Sequence, residues 1–354
     1  MTRYIIRRLL IMPIILIGVT VLIFVMLSLL SPYERVALYV QDIPKRQGAM
    51  DDLIVKYGLD DPIYLQYWYW MVGKKDAQTG EIQGGILRGD LGWSKVGRSS
   101  VGEVIGRRLP ATAELTLWSI VPLIGLSIWM GVVAAVNHNK LTDQILRVFA
   151  IGGWSIPTFV FGLLVLMIFY AKLGWFPPGR LSDWAQQIVL SPAFHRYTNM
   201  NTVDALLNLR FDVFLDALRH LILPVVTLSV ISWAFLLRVT RSSMLDTLRQ
   251  DYMTTARAKG LAEKTVIRRH AVPNGLIPVI TVGGLTLVGL LNGVVITETV
   301  FNYPGMGSFM ADAALSLDVV SVLGVTLFSS FILVFGNLLV DVLYGVVDPR
   351  IRLE

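Results

Sequence analysis

Long uncharged stretches punctuate the chain. Six runs of 18 to 28 residues contain no Asp, Glu, Lys or Arg: 9–33, 115–139, 148–171, 220–237, 270–297 and 319–340. Leu, Ile, Val, Phe and Gly dominate them. A hydrocarbon layer about 30 Å thick is crossed by about 20 helical residues. A charge at its centre costs roughly 2.5–3.5 kcal/mol. The pattern therefore predicts six transmembrane helices in an all-α, polytopic membrane helix bundle. Helices buried in a large soluble protein are the alternative, but these seldom lose charge on every face for so long. Barrel strands would alternate over about 10 residues. The fourth run, 18 residues long, gives the weakest signal. Pro122, Pro157, Pro224, Gly283 and Gly284 fall inside the runs, where kinks and close helix contacts are their default reading.

The runs divide the chain into an N-terminus with the first helix (1–33), an extracytoplasmic loop region (34–114), a core with five helices (115–345) and a tail (346–354). Met1 to Arg8 looks like the basic head of a signal peptide. The apolar stretch after it is too long, however, and lacks a small-x-small cleavage site, so the first helix is expected to be retained. Six crossings put both termini on one side. The 32-residue loop 238–269 carries eight Lys and Arg, which places it and both termini in the cytoplasm. The expected location is the cell (inner or plasma) membrane, in a lipid bilayer. Topology then accounts for the net charge of +6, and no nucleic-acid partner is implied.

The composition agrees. The chain is 54% apolar and 16% charged, against roughly 25% charged in ordinary soluble proteins. Its mean hydropathy is +0.62, and it has no cysteine. A disordered tail, a disulfide scaffold and an ordinary soluble enzyme are excluded. No Gly-x4-Gly-Lys-Ser/Thr loop, His-Glu-x-x-His or Gly-x-Ser-x-Gly motif occurs, and the four histidines are scattered. No catalytic, cofactor-binding or metal residue is expected. The runs also lack the ionisable residues that ion-coupled carriers keep in the membrane, so energy is expected to enter elsewhere. A stand-alone carrier or channel would be favoured by repeated halves with broken helices, and no convincing repeat is seen. A membrane enzyme would need a nucleophile–base or metal set within the spans.

Two outer stretches have open readings. Tyr64-Leu-Gln-Tyr-Trp-Tyr-Trp70 suits a membrane interface, the favoured reading, or a docking surface. Glu298 and Asp312 flank an outer loop, where they guide substrate or a delivering protein, or are ordinary interface charges. The substrate-binding residues stay unknown.

The loop between the fourth and fifth runs is the most informative. Asp251 is a good N-cap for a short helix, Arg257 and Lys259 sit at its C-terminal end, and Gly260 is a natural left-handed C′ residue. Tyr252 and Ala256, four apart, share a face. Such a helix is either a rigid lever between two spans or a positive-inside loop that happens to be helical.

This loop resembles the cytoplasmic signature of ABC importer permeases, Glu-Ala-Ala-x3-Gly-x9-Ile-x-Leu-Pro. Aligned on Gly260, Ala256 matches the second alanine and Pro273 the final proline, while Thr254 and Thr255 replace Glu-Ala, His270 replaces Ile and Val272 replaces Leu. Asp251-Tyr-Met-Thr-Thr-Ala-Arg-Ala-Lys-Gly-Leu261 is close to the form of the peptide-type subfamily. Further resembling motifs follow in order: Tyr4-Ile-Ile-Arg-Arg-Leu9, Tyr57-Gly-Leu-Asp-Asp-Pro62, Gly89-Asp-Leu-Gly-Trp-Ser94, Arg108-Leu-Pro-Ala-Thr-Ala-Glu-Leu115, Ser155-Ile-Pro-Thr-Phe159, Glu298-Thr-Val-Phe-Asn-Tyr-Pro-Gly-Met-Gly307 and Val347-Asp-Pro-Arg-Ile-Arg352. Together they resemble the first of the two permease kinds of dipeptide/oligopeptide importers. Residues 175–219 look longer than the same loop in many relatives.

The resemblance implies a type I ABC importer permease fold and a transport subunit with no ATPase site of its own. It implies a second permease of the same family, two ABC ATPase subunits carrying ATP and Mg, and an extracytoplasmic solute-binding protein. It makes 251–260 the coupling helix: Asp251, Tyr252, Thr254, Thr255, Ala256, Arg257, Ala258, Lys259 and Gly260. Thr254, Thr255, Ala256 and Gly260 would sit at or near the ATPase, and Arg257 and Lys259 would pair with its acidic groups. Di- or oligopeptides are the leading substrate class; nickel chelates, glutathione-like compounds and oligosaccharides are served by similar permeases.

Overall fold

The computed structural model describes residues 2–36, 40, 47–75, 80–292 and 294–347. Most of the first uncharged run lies in α1 (Thr2–Ser28). A Ser31–Glu34 capping box then starts the one-turn α2 (Pro32–Arg35), followed by α3 (Gln47–Tyr57) and α4 (Ile63–Val72). The aromatic run is α4. Tyr67 and Trp70 pack on Phe24 of α1, and the Tyr67 hydroxyl lies 2.8 Å from Thr20 Oγ1. Tyr64 and Trp68 stay exposed. One face of the run therefore fixes α4 to the first span. Two short antiparallel hairpins follow, β1 (Lys74–Lys75) with β2 (Ile82–Gln83) and β3 (Trp93–Ser94) with β4 (Ser99–Ser100).

Helix α5 (Val101–Val136) starts where the Ser100 side chain accepts from the Glu103 N–H. At 36 residues it is about 54 Å long, well beyond a bilayer. The second span thus begins inside the stretch that the charge pattern gave to the outer loop. Next come α6 (Leu141–Ser155) and α7 (Thr158–Val165), which widens into a π-helical segment at Leu166–Lys172. Two short helices, α8 (Asp183–Leu190) and α9 (Asn201–Leu207), precede α10 (Phe211–Leu248). The 38-residue α10 leads into α11 (Asp251–Ala258) and α12 (Glu263–Val266). A π-helical stretch Ile267–Ala271 joins α12 to α13 (Val272–Gly275) and α14 (Ile277–Leu291). The chain then forms α15 (Val295–Val300), α16 (Met306–Leu315) and α17 (Val319–Val347). Most of the tail, including the Asp-Pro-Arg-Ile-Arg motif, lies outside the described residues.

Helices α1, α5, α10 and α17 are each long and apolar enough to cross a membrane, and two bent pairs bring the number to six where each pair is counted as one span. The third and fifth spans are not the single helices that their uncharged runs suggest. Between α6 and α7 the chain bends by 99°; between the α12–α13 segment and α14 it bends by 49°. At the sharper break Pro157 supplies no N–H, and its ring drives Ile156 to φ −89°, ψ 124°.

The bundle centres on α5 and α10. On α5, Ser119, Leu123, Ser127, Gly131 and Ala135 recur every fourth residue and form one buried stripe. Ser229 Oγ donates to the Ser119 carbonyl at 3.4 Å, and Ser127 Oγ lies 3.3 Å from the Trp233 carbonyl. Gly131 sits directly on Thr240, where a Cβ has no room. Small residues let two long helices close on each other where lipid gives no hydrophobic incentive. Gly284 against Val340 and Gly336 against Val288 repeat the device between α14 and α17.

Candidate functional site

Helix α11 hangs between α10 and α12 on the side rich in Lys and Arg. The predicted short helix is present, but its start differs. Gln250 is the N-cap residue and makes no side-chain cap bond; Asp251 is already the first helical residue, where its charge faces the N-terminal dipole. The far end is as the sequence predicts. Gly260 takes φ +76°, and its N–H donates to the Arg257 carbonyl at 2.9 Å.

The buried face also differs from the predicted Tyr252–Ala256 pair. Tyr252 is 40% exposed, while Met253 is fully buried and Ala256 nearly so. Met253 and Ala256, three apart, pack with Ala135 of α5, Met244 of α10, Val266 of α12 and Ala271. The other nominated residues, Asp251, Tyr252, Thr254, Thr255, Arg257, Ala258, Lys259 and Gly260, are all exposed. Ala256 thus supports the helix from behind instead of lying on its open face. Met253, absent from the sequence nomination, is its main anchor. The signal was available: it is the one large aliphatic side chain in the helix, at i, i+3 to Ala256.

Arg257 is engaged within the chain. Its Nε and Nη2 reach Glu263 at 3.1 and 2.9 Å, a forked pair joining α11 to α12. The hydrogen bonds from Arg257 hold the Glu263 carboxyl below the usual range. Lys259 stays exposed beside it.

A second polar cluster braces the helices behind α11. Asp143, fully buried at the start of α6, accepts from Arg241 Nε at 2.7 Å and Nη2 at 2.8 Å. The Asn139 N–H donates to it at 3.0 Å, Arg147 lies 3.7 Å away, and His138 Nδ1 is 3.1 Å from Arg241 Nη2. Arg241 is one helical turn from Met244. The clamp and the α11 seat therefore share the end of α10.

The opposite side is held by buried carboxylates. Glu114 of α5, 1% exposed, accepts from Thr202 N at 2.6 Å, Thr202 Oγ1 at 2.9 Å, Arg180 Nη2 at 2.6 Å and the Tyr303 hydroxyl at 2.8 Å. Glu298 is not the surface charge its position suggests. It is fully buried, accepting from Thr112 Oγ1 at 2.8 Å and Ser308 N at 2.7 Å. Burial pushes its carboxyl up, against the pull of those bonds. Gly305 leaves the space its carboxylate fills. Asp318 accepts from Ser94 Oγ and Val96 N at 3.1 Å, and from Ser321 Oγ at 2.7 Å, tying the β3–β4 hairpin to α17. Burial opposes its ionisation, but the hydrogen bonds prevail and hold the carboxyl low. Asp312 remains exposed. Residues 175–210 form a small layer over the ends of α5 and α10, with Ala185, Val189, Phe194 and Ala205 packed around Val213 of α10. No group of three or more metal-ligating side chains occurs among the described residues.

Four long apolar helices and two bent apolar pairs, with a short helix held between two of them, make this a multi-pass membrane protein. The chain belongs to the binding-protein-dependent transport family. The family described as "Binding-protein-dependent transport system inner membrane component" matches residues 127–353, and its N-terminal companion family matches residues 1–116. The chain is 37% identical over 353 residues to the oligopeptide transport system permease protein AppB of Bacillus subtilis (strain 168), covering 99% of this chain and all of that one. It is 35% identical to the dipeptide transport system permease protein DppB of Escherichia coli (strain K12), with 99% of both chains covered. It is 38% identical to the probable D,D-dipeptide transport system permease protein DdpB of the same strain, over 94% of this chain and 93% of that one. In fold it is similar to a chain of the MetNI methionine ABC transporter in an inward-facing conformation, with a TM-score of 0.50, 14% identity and coverage of 70% of this chain and 97% of that one. The protein is a permease subunit of a binding-protein-dependent ABC importer, a transport component and not an enzyme.

Proposed function

We propose that this chain is one of two permease subunits of a peptide importer in the cell membrane, with both termini and α11 in the cytoplasm. The second permease is of the same family. Two ABC ATPase subunits hold ATP and Mg, and an extracytoplasmic solute-binding protein delivers the cargo. Di- and oligopeptides are the cargo, a reading supported by the names of relatives that match nearly the whole chain.

The observation that carries the coupling role is the two-faced seating of α11. One face rests on α5 and α10 through Met253 and Ala256; the other carries exposed Tyr252, Thr254, Thr255 and Lys259. A partner gripping the open face displaces both spans together. If closing ATPases hold that face differently in two states, their cycle shifts the permease between its own two states.

Purification from the native membrane in mild detergent tests the assembly. A second six-span permease and P-loop ATPases are expected to accompany the chain. A chain that purifies alone, and moves solute in vesicles without ATP, would be a carrier instead. Gly260→Pro and Ala256→Glu are expected to abolish ATP-driven tripeptide uptake while the protein stays in the membrane. Uptake by both variants at the unmodified rate rules out the coupling role.

A further inference from the structure

The third span breaks opposite the middle of the uncharged run of α10. Both of its halves run along α10. Asp143 bonds Arg241 at one end, and the Gly174 carbonyl accepts from Arg219 at the other. Gly153 lies against the Val230 carbonyl, and Gly162 against Thr227. Residues 154–157 therefore sit opposite Thr227–Val230, the centre of the uncharged run 220–237.

The backbone at this depth is irregular. Ile156 is extended, and neither it nor Pro157 provides a side-chain cap. The last carbonyls of α6 and the first amides of α7 have no helical partners. Ser155 Oγ turns back onto the Ile151 carbonyl at 2.8 Å and does not bridge the gap. In hydrocarbon each unpaired group costs several kcal/mol, so such backbone persists only against protein or along a watered cavity. This chain does not cover it: Trp154 is 55% exposed, Ile156 39% and Phe159 49%, and Ser155 and Pro157 are open as well.

A cleft of about 700 Å³ adjoins the break, walled by Phe149, Gly152, Gly153, Phe161, Val230 and Trp233. Trp233 is 7% exposed, yet its indole N–H has no partner. It is aimed at Gly153, where a Cβ would stand 3.6 Å from the indole nitrogen. A mainly apolar cleft with a few convergent polar groups is the usual form of a ligand site. Here the polar groups are backbone amides and carbonyls, one indole and the Gln144 carboxamide, with no formal charge from 148 to 171.

We infer that the Trp154–Thr158 break lines the translocation path and takes an amide-rich ligand with apolar side chains. Free backbone donors and acceptors pair with the ligand's own amides while the cleft receives a side chain. This rests on the importer reading and adds where in this subunit the cargo passes. An acyl chain would fill the cleft but leave the backbone groups unpaired. A fixed protein neighbour would cover them in every state.

The absence of cysteine makes the test direct. Ser155→Cys and Thr158→Cys are made singly, with Leu22→Cys on the exposed face of α1 as a lipid-facing control, and the full complex is put into vesicles. A charged, membrane-impermeant methanethiosulfonate is applied without nucleotide and after vanadate trapping, and labelling is read by mass on this chain. In at least one state both break cysteines are expected to react about tenfold or more faster than the control, because only watered backbone is tolerated there. The rate is expected to differ between the two states. Equal, control-like rates in both states would overturn the inference. Tripeptide uptake by the same vesicles keeps the two readings apart. Intact uptake with inert cysteines sinks the path assignment alone; reactive cysteines without ATP-driven tripeptide uptake sink the peptide reading alone.

Discussion

The two sides of this membrane protein are held by different chemistry. On the side away from α11, Glu114, Glu298 and Asp318 are buried and each gathers two or more hydrogen bonds that join separate segments. On the basic side, α11 rests on a shallow apolar seat of Met253 and Ala256, backed by one buried clamp between Asp143 and Arg241. Directional bonds to buried charges fix geometry and break all at once, whereas a small apolar contact can slide. The first arrangement suits a platform that receives cargo. The second suits a part that must shift under load.

The contrast can be broken at its strongest point first. Glu114→Ala removes the carboxylate that Arg180, Thr202 and Tyr303 share, and losing one partner of such a buried pair costs about 3–5 kcal/mol. Residues 175–210 are expected to become protease-sensitive and the detergent melting temperature to fall sharply; a fall confined to transport would refute the platform role. Met253→Ala removes the main contact of α11 and is expected to cost about 2–4 kcal/mol locally. Amide exchange over 251–260 should rise and uptake should fall, with the rest of the fold unchanged. Asp143→Ala is expected to cost about 2 kcal/mol, less than Glu114→Ala because Asp143 joins fewer distant segments. Its distinguishing readout is more ATP hydrolysed per peptide moved. Gly260→Ala strains a left-handed position by about 1 kcal/mol and should lower uptake modestly at unchanged expression.

The smallest effect concerns pH. Because the Asp318 carboxyl is held low in the folded chain, its ionised form stabilises the fold above the unfolded value of about 4, and this contribution fades as pH falls through the folded value. The difference in melting temperature between wild type and Asp318→Asn should therefore narrow in acid. A gap that widens in acid would mean that the carboxylate is not what the hairpin is tied to.

Charge-free length was enough to locate six spans, because lipid penalises charge wherever it falls along a crossing. The end of α11 at Gly260 was equally legible, since a left-handed cap is a local demand. What was hidden depends on distant partners. Glu298 read as an outer charge and Glu114 carried no reading of its own, yet Thr112 and Ser308 meet the first, and Thr202, Arg180 and Tyr303 the second. Met253 lost to Tyr252 in the sequence reading because the rotation of a short helix is set by what it lies on. Pro157 announced a kink, but its 99° angle emerges only from packing along α10.

The Glu114 network also imposes an order on synthesis. Its carboxylate is made 66 residues before Arg180, 88 before Thr202 and 189 before Tyr303. At a ribosomal pace of roughly 5–20 residues per second, the last partner follows the carboxylate by about 10–40 s. For that interval α5 stands in the membrane with its outer end only partly satisfied, and three more crossings are laid down before the tyrosine arrives. The outer layer can close only after most of the bundle is in place, so its closure marks a nearly finished subunit.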